Sequence, residues 1–212
     1  IGAVKITNNG TVDLSGSGSI GLAADYGHII NNNKIRTIGD KSTGIYSANG
    51  TVTENNGDII TGGNSSAGIY GVNYLDGTTD SSVLGYGNDK IDITNNGKIV
   101  SEGTGKVYGI YAANSAAADS KINLGSGIID ISSSKGGTGV YAANTTVTGG
   151  GTLTIGSDSL GMYAKDSNVN LNGMTLNING NNSLGFYLDG TTNFTGNGNI
   201  NINGQNIALF NM

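Results

Sequence analysis

The sequence predicts an all-β protein, a right-handed parallel β-helix (a solenoid), and three observations carry this prediction. A short marker of Gly, an apolar residue and usually Tyr recurs with a ground period of 22 to 24 residues. Between the markers, apolar and polar residues alternate in short segments, which indicates strands with one buried face. Gly, Asn, Thr and Ser make up 109 of the 212 residues, a composition that disfavours helices and favours turns.

The composition also excludes several classes of protein. Cys is absent, which excludes a disulfide scaffold, an iron–sulfur cluster and a thiolate metal site. No run of about 18 apolar residues exists, so no transmembrane helix is expected. The formal charge of −5 and a single Arg argue against a nucleic-acid surface. The 24 Ile residues recur at ordered places and the net charge per residue is small, so disorder is not expected either.

Each coil is expected to carry the marker on one strand, with the middle residue pointing inward and the following Tyr pointing outward. Spacings between the first residues of successive markers are 23, 24, 41, 30, 22, 24 and 23. The copies, of which the first and last are degenerate, are Gly21-Leu22-Ala23, Gly44-Ile45-Tyr46, Gly68-Ile69-Tyr70, Gly109-Ile110-Tyr111, Gly139-Val140-Tyr141, Gly161-Met162-Tyr163, Gly185-Phe186-Tyr187 and Ala208-Leu209-Phe210.

Two further strands complete each coil. The second strand is expected around Ile29, Val52, Ile91, Ile122, Val147 and Val169. An Asn-Gly turn follows it at Asn9-Gly10, Asn56-Gly57, Asn96-Gly97 and Asn172-Gly173. The third strand alternates at Val12/Leu14, Ile129/Ile131, Leu153/Ile155, Leu176/Ile178 and Ile200/Ile202. About eight coils at a spacing of ~4.8 Å span roughly 40 Å, and parallel crossovers of this kind are nearly always right-handed.

Polar residues at the corner after the marker strand are expected to adopt the left-handed conformation and to bond to the next coil as a ladder. These residues are Asn49, Asn73, Asn114, Asn144 and Asp166.

The two long marker spacings predict insertions at this corner of consecutive coils, at about 74–89 and about 115–120. Residues on loops held by a rigid scaffold often bind ligands. The candidate binding residues of the larger insertion are Tyr74, Asp76, Asp80, Tyr86 and Asp89. The alternative is a tolerated insertion without function.

The outward Tyr residues of the markers form a second candidate site, a possible exposed aromatic ladder. Its members are Tyr46, Tyr70, Tyr111, Tyr141, Tyr163 and Tyr187. A row of exposed rings could stack on sugar faces or on a protein. The plainer interpretation is that the rings stack on one another and stabilise the β-helix.

No catalytic, metal-binding or cofactor-binding constellation is predicted, and the protein is expected not to be an enzyme. His28 is the only His, and no nucleophile motif accompanies it. Asp166 and Asp189 are the best available carboxylate pair for glycoside chemistry. Lys165 shares the repeat position of Asp189, however, and a cross-coil ion pair is the plainer interpretation.

Two Gly-rich motifs are weak. Residues 16–21 match GxGxxG but lack the strand-then-helix context of a nucleotide site. Residues 85–91 resemble part of a single calcium-binding nonapeptide, a motif that requires tandem copies.

With the coils aligned, the chain resembles autotransporter passenger domains, the type V secreted proteins of Gram-negative bacteria. Residues 42–49 (Ser-Thr-Gly-Ile-Tyr-Ser-Ala-Asn) and 94–99 (Thr-Asn-Asn-Gly-Lys-Ile) resemble large fusobacterial adhesins in particular. The resemblance covers essentially the whole chain and implies export across the outer membrane, display at the cell surface and adhesion to a protein or glycan of host or bacterial cells. It implies neither a nucleic-acid partner nor membrane insertion of this segment.

The resemblance also implies a longer parent protein. The chain lacks the signal peptide, translocating barrel and cap of a complete family member, so it is expected to continue into further β-helix coils. Two alternatives to an adhesin stay open, a purely structural spacer of a surface protein and a carbohydrate-active β-helix enzyme.

Overall fold

A computed structural model describes residues 4–73, 90–114 and 120–212. In that part of the chain, twenty-two strands form and no helix does. The strands pair in parallel and stack as a solenoid of about eight coils, which confirms the predicted fold class. Within the described ranges, no helix has the length and apolar character needed to cross a membrane.

In chain order the strands are β1 (Val4–Asn8), β2 (Thr11–Leu14), β3 (Ile20–Asp25), β4 (Gly27–Asn31), β5 (Lys34–Thr37), β6 (Thr43–Ala48), β7 (Val52–Asn55), β8 (Asp58–Gly62), β9 (Ser66–Asn73), β10 (Asp92–Asn95), β11 (Lys98–Glu102), β12 (Val107–Asn114), β13 (Lys121–Asn123), β14 (Ile128–Ile131), β15 (Thr138–Ala143), β16 (Thr146–Gly149), β17 (Thr152–Ile155), β18 (Leu160–Lys165), β19 (Asn168–Ile178), β20 (Leu184–Asp189), β21 (Asn193–Ile202) and β22 (Ala208–Asn211).

The strands form three faces. The marker face is an eight-stranded sheet, in the order β22-β20-β18-β15-β12-β9-β6-β3. The second face runs β1-β4-β7-β10-β13-β16, and the third face runs β17-β14-β11-β8-β5-β2. Strand β19 pairs with both β16 and β17 and joins the second and third faces into one sheet, and β21 extends it by pairing with β19.

The core is a set of stacked aliphatic columns, as the marker pattern predicts. Five marker residues are fully buried at 0% exposure: Ile45, Ile69, Ile110, Val140 and Met162. The third face contributes a parallel column that includes Ile35, Ile59, Ile99, Leu153 and Leu176. One coil cannot bury its own apolar face, so neighbouring coils bury each other's, at about 1.5–3 kcal/mol for each large side chain before entropy is subtracted.

The last marker copy lies one residue out of its predicted register. Phe210, rather than Leu209, pairs with Phe186, and their rings stack with centroids 5.1 Å apart. Leu209 lies beside Gly185, where the missing side chain leaves room for it. The inward residues Ile200 and Ile202 keep their predicted parity, but they are 44% and 50% exposed, since among the described strands β21 has a neighbour, β19, on one side only.

The predicted alignment of the second strand is wrong at two positions. Val52 pairs with His28 and points outward, at 36% exposure, whereas Thr53 takes the inward place beside Ile29 and is fully buried. Similarly, Ile93 rather than Ile91 is the partner of Ile122. Both Val and Thr are β-branched and suit a strand, so propensity alone did not distinguish the two faces.

At the predicted turn, Asn172-Gly173, the chain passes from the second face to the third as expected, but no break separates two strands there. Strand β19 runs continuously through it, with an irregular register between Asn172 and Met174. Gly173 has a φ of 75°, which absorbs the extra residue as a bulge without the steric cost that a side chain would add.

Two Asn ladders lie at the corner between the second and third faces. The inner ladder is buried and links the side-chain amides of Asn8, Asn31, Asn55 and Asn95, each Nδ2 donating to the next Oδ1 at 2.8 Å. The outer ladder links the following residues, Asn9, Asn32, Asn56 and Asn96, at 3.0–3.3 Å. The inner ladder ends where Leu124 replaces Asn, and Nδ2 of Asn95 is left buried without a hydrogen-bond acceptor.

Buried hydroxyl groups form a comparable column at the corner that precedes the marker face. Ser42, Ser66, Ser159 and Ser183 each lie two residues before a marker Gly, and each is at most 3% exposed. The hydroxyl of Ser66 accepts the backbone N–H of Ser42 at 3.1 Å and donates to the carbonyl of Gly39 at 3.0 Å. The column therefore satisfies backbone groups that the turn leaves unpaired.

At the corner after the marker strand, the left-handed conformation is confirmed for Asn49, Asn144 and Asp166, with φ of 40°, 50° and 49°. Asn73 and Asn114 instead end strands β9 and β12. The cross-coil bonding at this corner is confirmed, since the Nδ2 of Asn144 donates to the carbonyl of Asn114 at 2.9 Å.

Candidate functional site

The outward Tyr residues of the marker face form a continuous stack. Every one of the six is half-buried, and neighbouring rings are nearly parallel. From Tyr46 through Tyr70, Tyr111, Tyr141 and Tyr163 to Tyr187, successive ring centroids are 5.9, 4.7, 4.6, 4.7 and 5.4 Å apart. Interplanar angles are 5–10° for the first four pairs and 21° for the last.

This stacking limits what the rings can do. At centroid separations of 4.6–4.7 Å, the faces of the central rings cover one another, so no sugar ring fits between them. The edges of the stacked rings face outward along the β-helix. Each stacked pair stabilises the fold by about 0.5–1.5 kcal/mol beyond the contribution of buried area. The self-stacking interpretation of the ladder therefore agrees with the geometry, and a ligand would meet the side of the stack.

One further tyrosine, Tyr108, departs from the repeat and was not among the predicted site residues. It occupies the outward position directly before the marker Gly, where other coils carry Ile20, Thr43, Ala67, Thr138, Leu160 or Leu184. Its ring stands at 80° to Tyr111 and 89° to Tyr141, with centroids 5.4 and 6.3 Å away. A comparison of this one position across the marker copies would have found it.

Tyr108 closes one end of a trough on the marker face. The floor is the column of Ile20, Thr43 and Ala67, which are in register on strands β3, β6 and β9. Tyr108 follows Ala67 in that column. The trough is an open depression of about 430 Å³ that extends over three coil steps, roughly 14 Å at the usual strand spacing. That volume lies within the range of small-ligand sites.

The two walls of the trough differ in chemistry. One wall is the side of the tyrosine stack at Tyr46, Tyr70 and Tyr111. The opposite wall is formed at the turn before the marker strand by Gly18, Lys41 and Ser65. Lys41 and Ser65 have φ of 56° and 59°, a conformation that L-residues seldom adopt.

Near the other end of the stack, Tyr163 donates its hydroxyl hydrogen to Oδ2 of Asp189 at 2.8 Å. Desolvation of the phenol and this hydrogen bond raise the pKa of Tyr163 to about 12. Asp189 pairs in register with Lys165, as the repeat predicts, but the predicted ion pair is absent from the described residues. Asp166, the other member of the predicted carboxylate pair, bonds to a different group. Its Oδ1 accepts a hydrogen bond from the backbone N–H of Thr191, and this bond lowers the pKa of Asp166.

Charged groups on the other faces pair across coils. The only Arg, Arg36, forms a two-point contact with Glu102, with Nη2–Oε1 at 2.6 Å and Nε–Oε2 at 2.8 Å, and also reaches Asp13 at 3.0 Å. The hydrogen bonds from Arg36 hold the pKa of Glu102 below its usual value. His28 lies 2.9 Å from Glu54, and in the part of the chain that the structure describes, no cluster of three His, Asp or Glu is placed to hold a metal ion.

The predicted loop site falls outside the described residues. Tyr74, Asp76, Asp80, Tyr86 and Asp89 all lie in 74–89, and 115–119 is likewise outside the described ranges.

The residues that flank the two predicted insertions are described, and they lie together. Nδ2 of Asn73 donates to Oδ1 of Asn114 at 3.1 Å, and Nδ2 of Asn114 donates to the hydroxyl of Ser120 at 2.7 Å. That hydroxyl also accepts the N–H of Ile91. Ser120 is only 1% exposed, so it belongs to the coil rather than to the smaller insertion.

Comparisons with known proteins identify no relative of this chain. No protein-family model, curated protein or solved structure matches the chain.

Proposed function

We propose that the chain is a β-helical segment of an exported bacterial surface adhesin of the autotransporter passenger type, and that it binds a receptor on a host or bacterial cell. The observation that carries the proposal is the trough on the marker face, at the place where Tyr108 puts an aromatic ring into a column that otherwise holds aliphatic residues and Thr.

The construction of the solenoid supports an extracellular stalk. Its coils are tied by Asn and Ser ladders and by the tyrosine stack, all of which form without Cys. A parallel β-helix is a quasi-one-dimensional scaffold, so a side-chain array on one face keeps its spacing along the axis. The proposal gives the chain no catalytic role and no cofactor.

A structural spacer is the second candidate, and one observation favours it. The central rings of the stack cover each other's faces and so serve the stability of the helix. In a spacer, Tyr108 would add to that stability through its edge contacts with Tyr111 and Tyr141.

The discriminating experiment is adhesion of the purified 212-residue chain to panels of host epithelial cells and of other bacteria. A fluorescent label at the amino terminus reports binding, and an unlabelled excess tests saturation. Saturable binding that Tyr108→Ala reduces supports the adhesin. Absence of saturable binding to every surface supports the spacer. Thr138→Ala is the matched control, because Thr138 occupies the same column on the other side of Tyr108.

A further inference from the structure

The groups that line the trough restrict the chemistry of its ligand. The first restriction comes from the backbone of the strands that the trough crosses. The trough runs along the helix axis, across strands whose N–H and C=O groups already bond to the neighbouring coils. An extended peptide laid in it cannot add as a strand, which is the usual source of affinity for extended peptides on sheets. Binding must therefore come from side chains, namely ring surfaces, methyl groups, hydroxyls and an ammonium group.

These side chains suit a sugar. The methyl group of Thr43 on the floor suits the C–H face of a pyranose ring, and the hydroxyl groups of Thr43 and Ser65 suit its polar rim. Ala67 is only 3% exposed and backs the floor from beneath. Tyr108 stands nearly perpendicular to the stack and lines the trough, so it offers a ring surface on which a sugar ring can pack.

The wall opposite the tyrosines is basic. Lys41, Ser65 and Lys106 each lie three residues before a marker Gly, so they form one column at the turn. The ammonium groups of Lys41 and Lys106 form no ion pair among the described residues, and both side chains are exposed. Asp40 lies beside Lys41, and its Oδ1 accepts a hydrogen bond from the N–H of Asn64. Its carboxylate keeps its charge and offsets part of the positive charge of the two lysines. Lys41 lines the trough, and Lys106 lies in the same column next to the lining residues. A chain with a formal charge of −5 thus carries two cations and one carboxylate along this wall.

We propose that the trough binds an anionic oligosaccharide, with one sugar ring packed on Tyr108 and a carboxylate or sulfate group facing Lys41 and Lys106. The inference rests on the proposed function, since it names the ligand class of the same trough. The two lysines favour a ligand with a negative charge, and Tyr108 packs against the sugar ring of the ligand.

The test measures binding of the purified chain to matched oligosaccharides by isothermal titration calorimetry. The panel holds one neutral backbone and the same backbone with a uronic carboxylate or with a sulfate, and an acidic peptide is added as a further arm. The acidic sugars are expected to bind more tightly than the neutral one, with an advantage that shrinks as salt rises. The ratio between the carboxylate and sulfate arms tells which group the lysines accept.

The variants separate charge from stacking. Lys41→Gln and Lys106→Gln should each weaken acidic-sugar binding about two- to fivefold and leave the neutral sugar unchanged. Tyr108→Ala should weaken all sugars by about tenfold or more, while Tyr108→Phe retains binding. Lys98→Gln on the third face is the charge control and should have no effect.

Three results would overturn the inference. The first is equal affinity for neutral and acidic sugars, the second is no change in Lys41→Gln and Lys106→Gln, and the third is binding of the acidic peptide in preference to every sugar. The adhesin proposal fails separately, if the chain binds no cell surface at all. Cell adhesion that persists after periodate oxidation of the cell-surface sugars would uphold the adhesin and reject the glycan.

Discussion

Asn55 and Asn95 are forty residues apart in sequence, yet the side-chain amide of Asn55 donates to that of Asn95 at 2.8 Å inside the solenoid. Both residues are fully buried. The bond joins the coil that precedes residues 74–89 to the coil that follows them. The inner Asn ladder therefore holds these two coils in register.

Asn55→Ala should destabilise the fold by about 2–4 kcal/mol, because it leaves Nδ2 of Asn31 and Oδ1 of Asn95 buried without partners. Denaturant unfolding followed by circular dichroism measures the change. Asn56→Ala is the matched control: it removes an exposed rung of the outer ladder, and it should cost less than about 0.5 kcal/mol. Equal losses in the two variants would mean that burial does not decide the strength of the ladders.

Two neighbouring threonines should respond to the same substitution with opposite signs. The hydroxyl of Thr53 is buried without a hydrogen-bond partner, so Thr53→Val should stabilise the fold by about 1 kcal/mol. Thr51→Val should instead destabilise it by about 1–3 kcal/mol, since the hydroxyl of Thr51 accepts from Gly27 and donates to Ala48. Melting temperatures of the two variants provide the comparison, and a shared sign would contradict the assigned bonding.

The marker position must be Gly because the neighbouring coil leaves no room for a side chain there. A Cβ on Gly109 would lie 2.5 Å from the carbonyl oxygen of Gly139 and 2.5 Å from Cγ2 of Ile129, atoms of the next coil and of the core. Gly109→Ala should therefore cost about 1–3 kcal/mol or more through overpacking. Gly10→Ala has nothing within 4 Å of the new methyl group and should be nearly neutral. Similar stability of the two variants in thermal unfolding would argue against the close approach of the coils.

The tyrosine stack should lose more stability from its middle than from its end. Tyr141 stacks on Tyr111 and Tyr163, whereas Tyr187 stacks only on Tyr163 among the described rings. Each stacked pair contributes about 0.5–1.5 kcal/mol, so Tyr141→Ala should destabilise the fold by about that much more than Tyr187→Ala. The difference in free energy of unfolding tests this expectation, and a greater loss at Tyr187 would refute it.

The raised pKa of Tyr163 predicts a loss of stability in alkali. The phenol titrates at about 12 in the fold, against about 10 in the unfolded chain, so its stabilising contribution is complete below pH 10. That contribution is lost as the pH rises from about 10 to about 12. Tyr163→Phe should flatten this part of the stability profile measured by denaturant unfolding. Asp189→Asn should bring the phenolate transition of Tyr163 to lower pH in an ultraviolet titration, and an unchanged transition would exclude Asp189 as a cause of the shift.

The marker columns could be predicted from sequence because their spacing is local and repetitive. The buried column of Ile45, Ile69 and Ile110 recurs at a period that only stacked coils bury, and a residue one position further along a strand must point outward. The Ser column carries a comparable signal, since Ser42 and Ser66 stand two residues before a marker Gly.

Some features were decided by tertiary structure alone. They are the positions at which the local sequence fits two arrangements of a strand or of a side-chain contact equally well. Val52 and Thr53 both suit β-structure, and only the pairing with His28 and Ile29 in the preceding coil selects Thr53 for the interior. Asp189 could pair with Lys165 or with Tyr163, and the hydroxyl of Tyr163 is the group it contacts. The trough likewise emerges only when Lys41, Ala67 and Tyr108 are brought side by side, because coils that are distant in sequence become neighbours at the strand spacing when they stack.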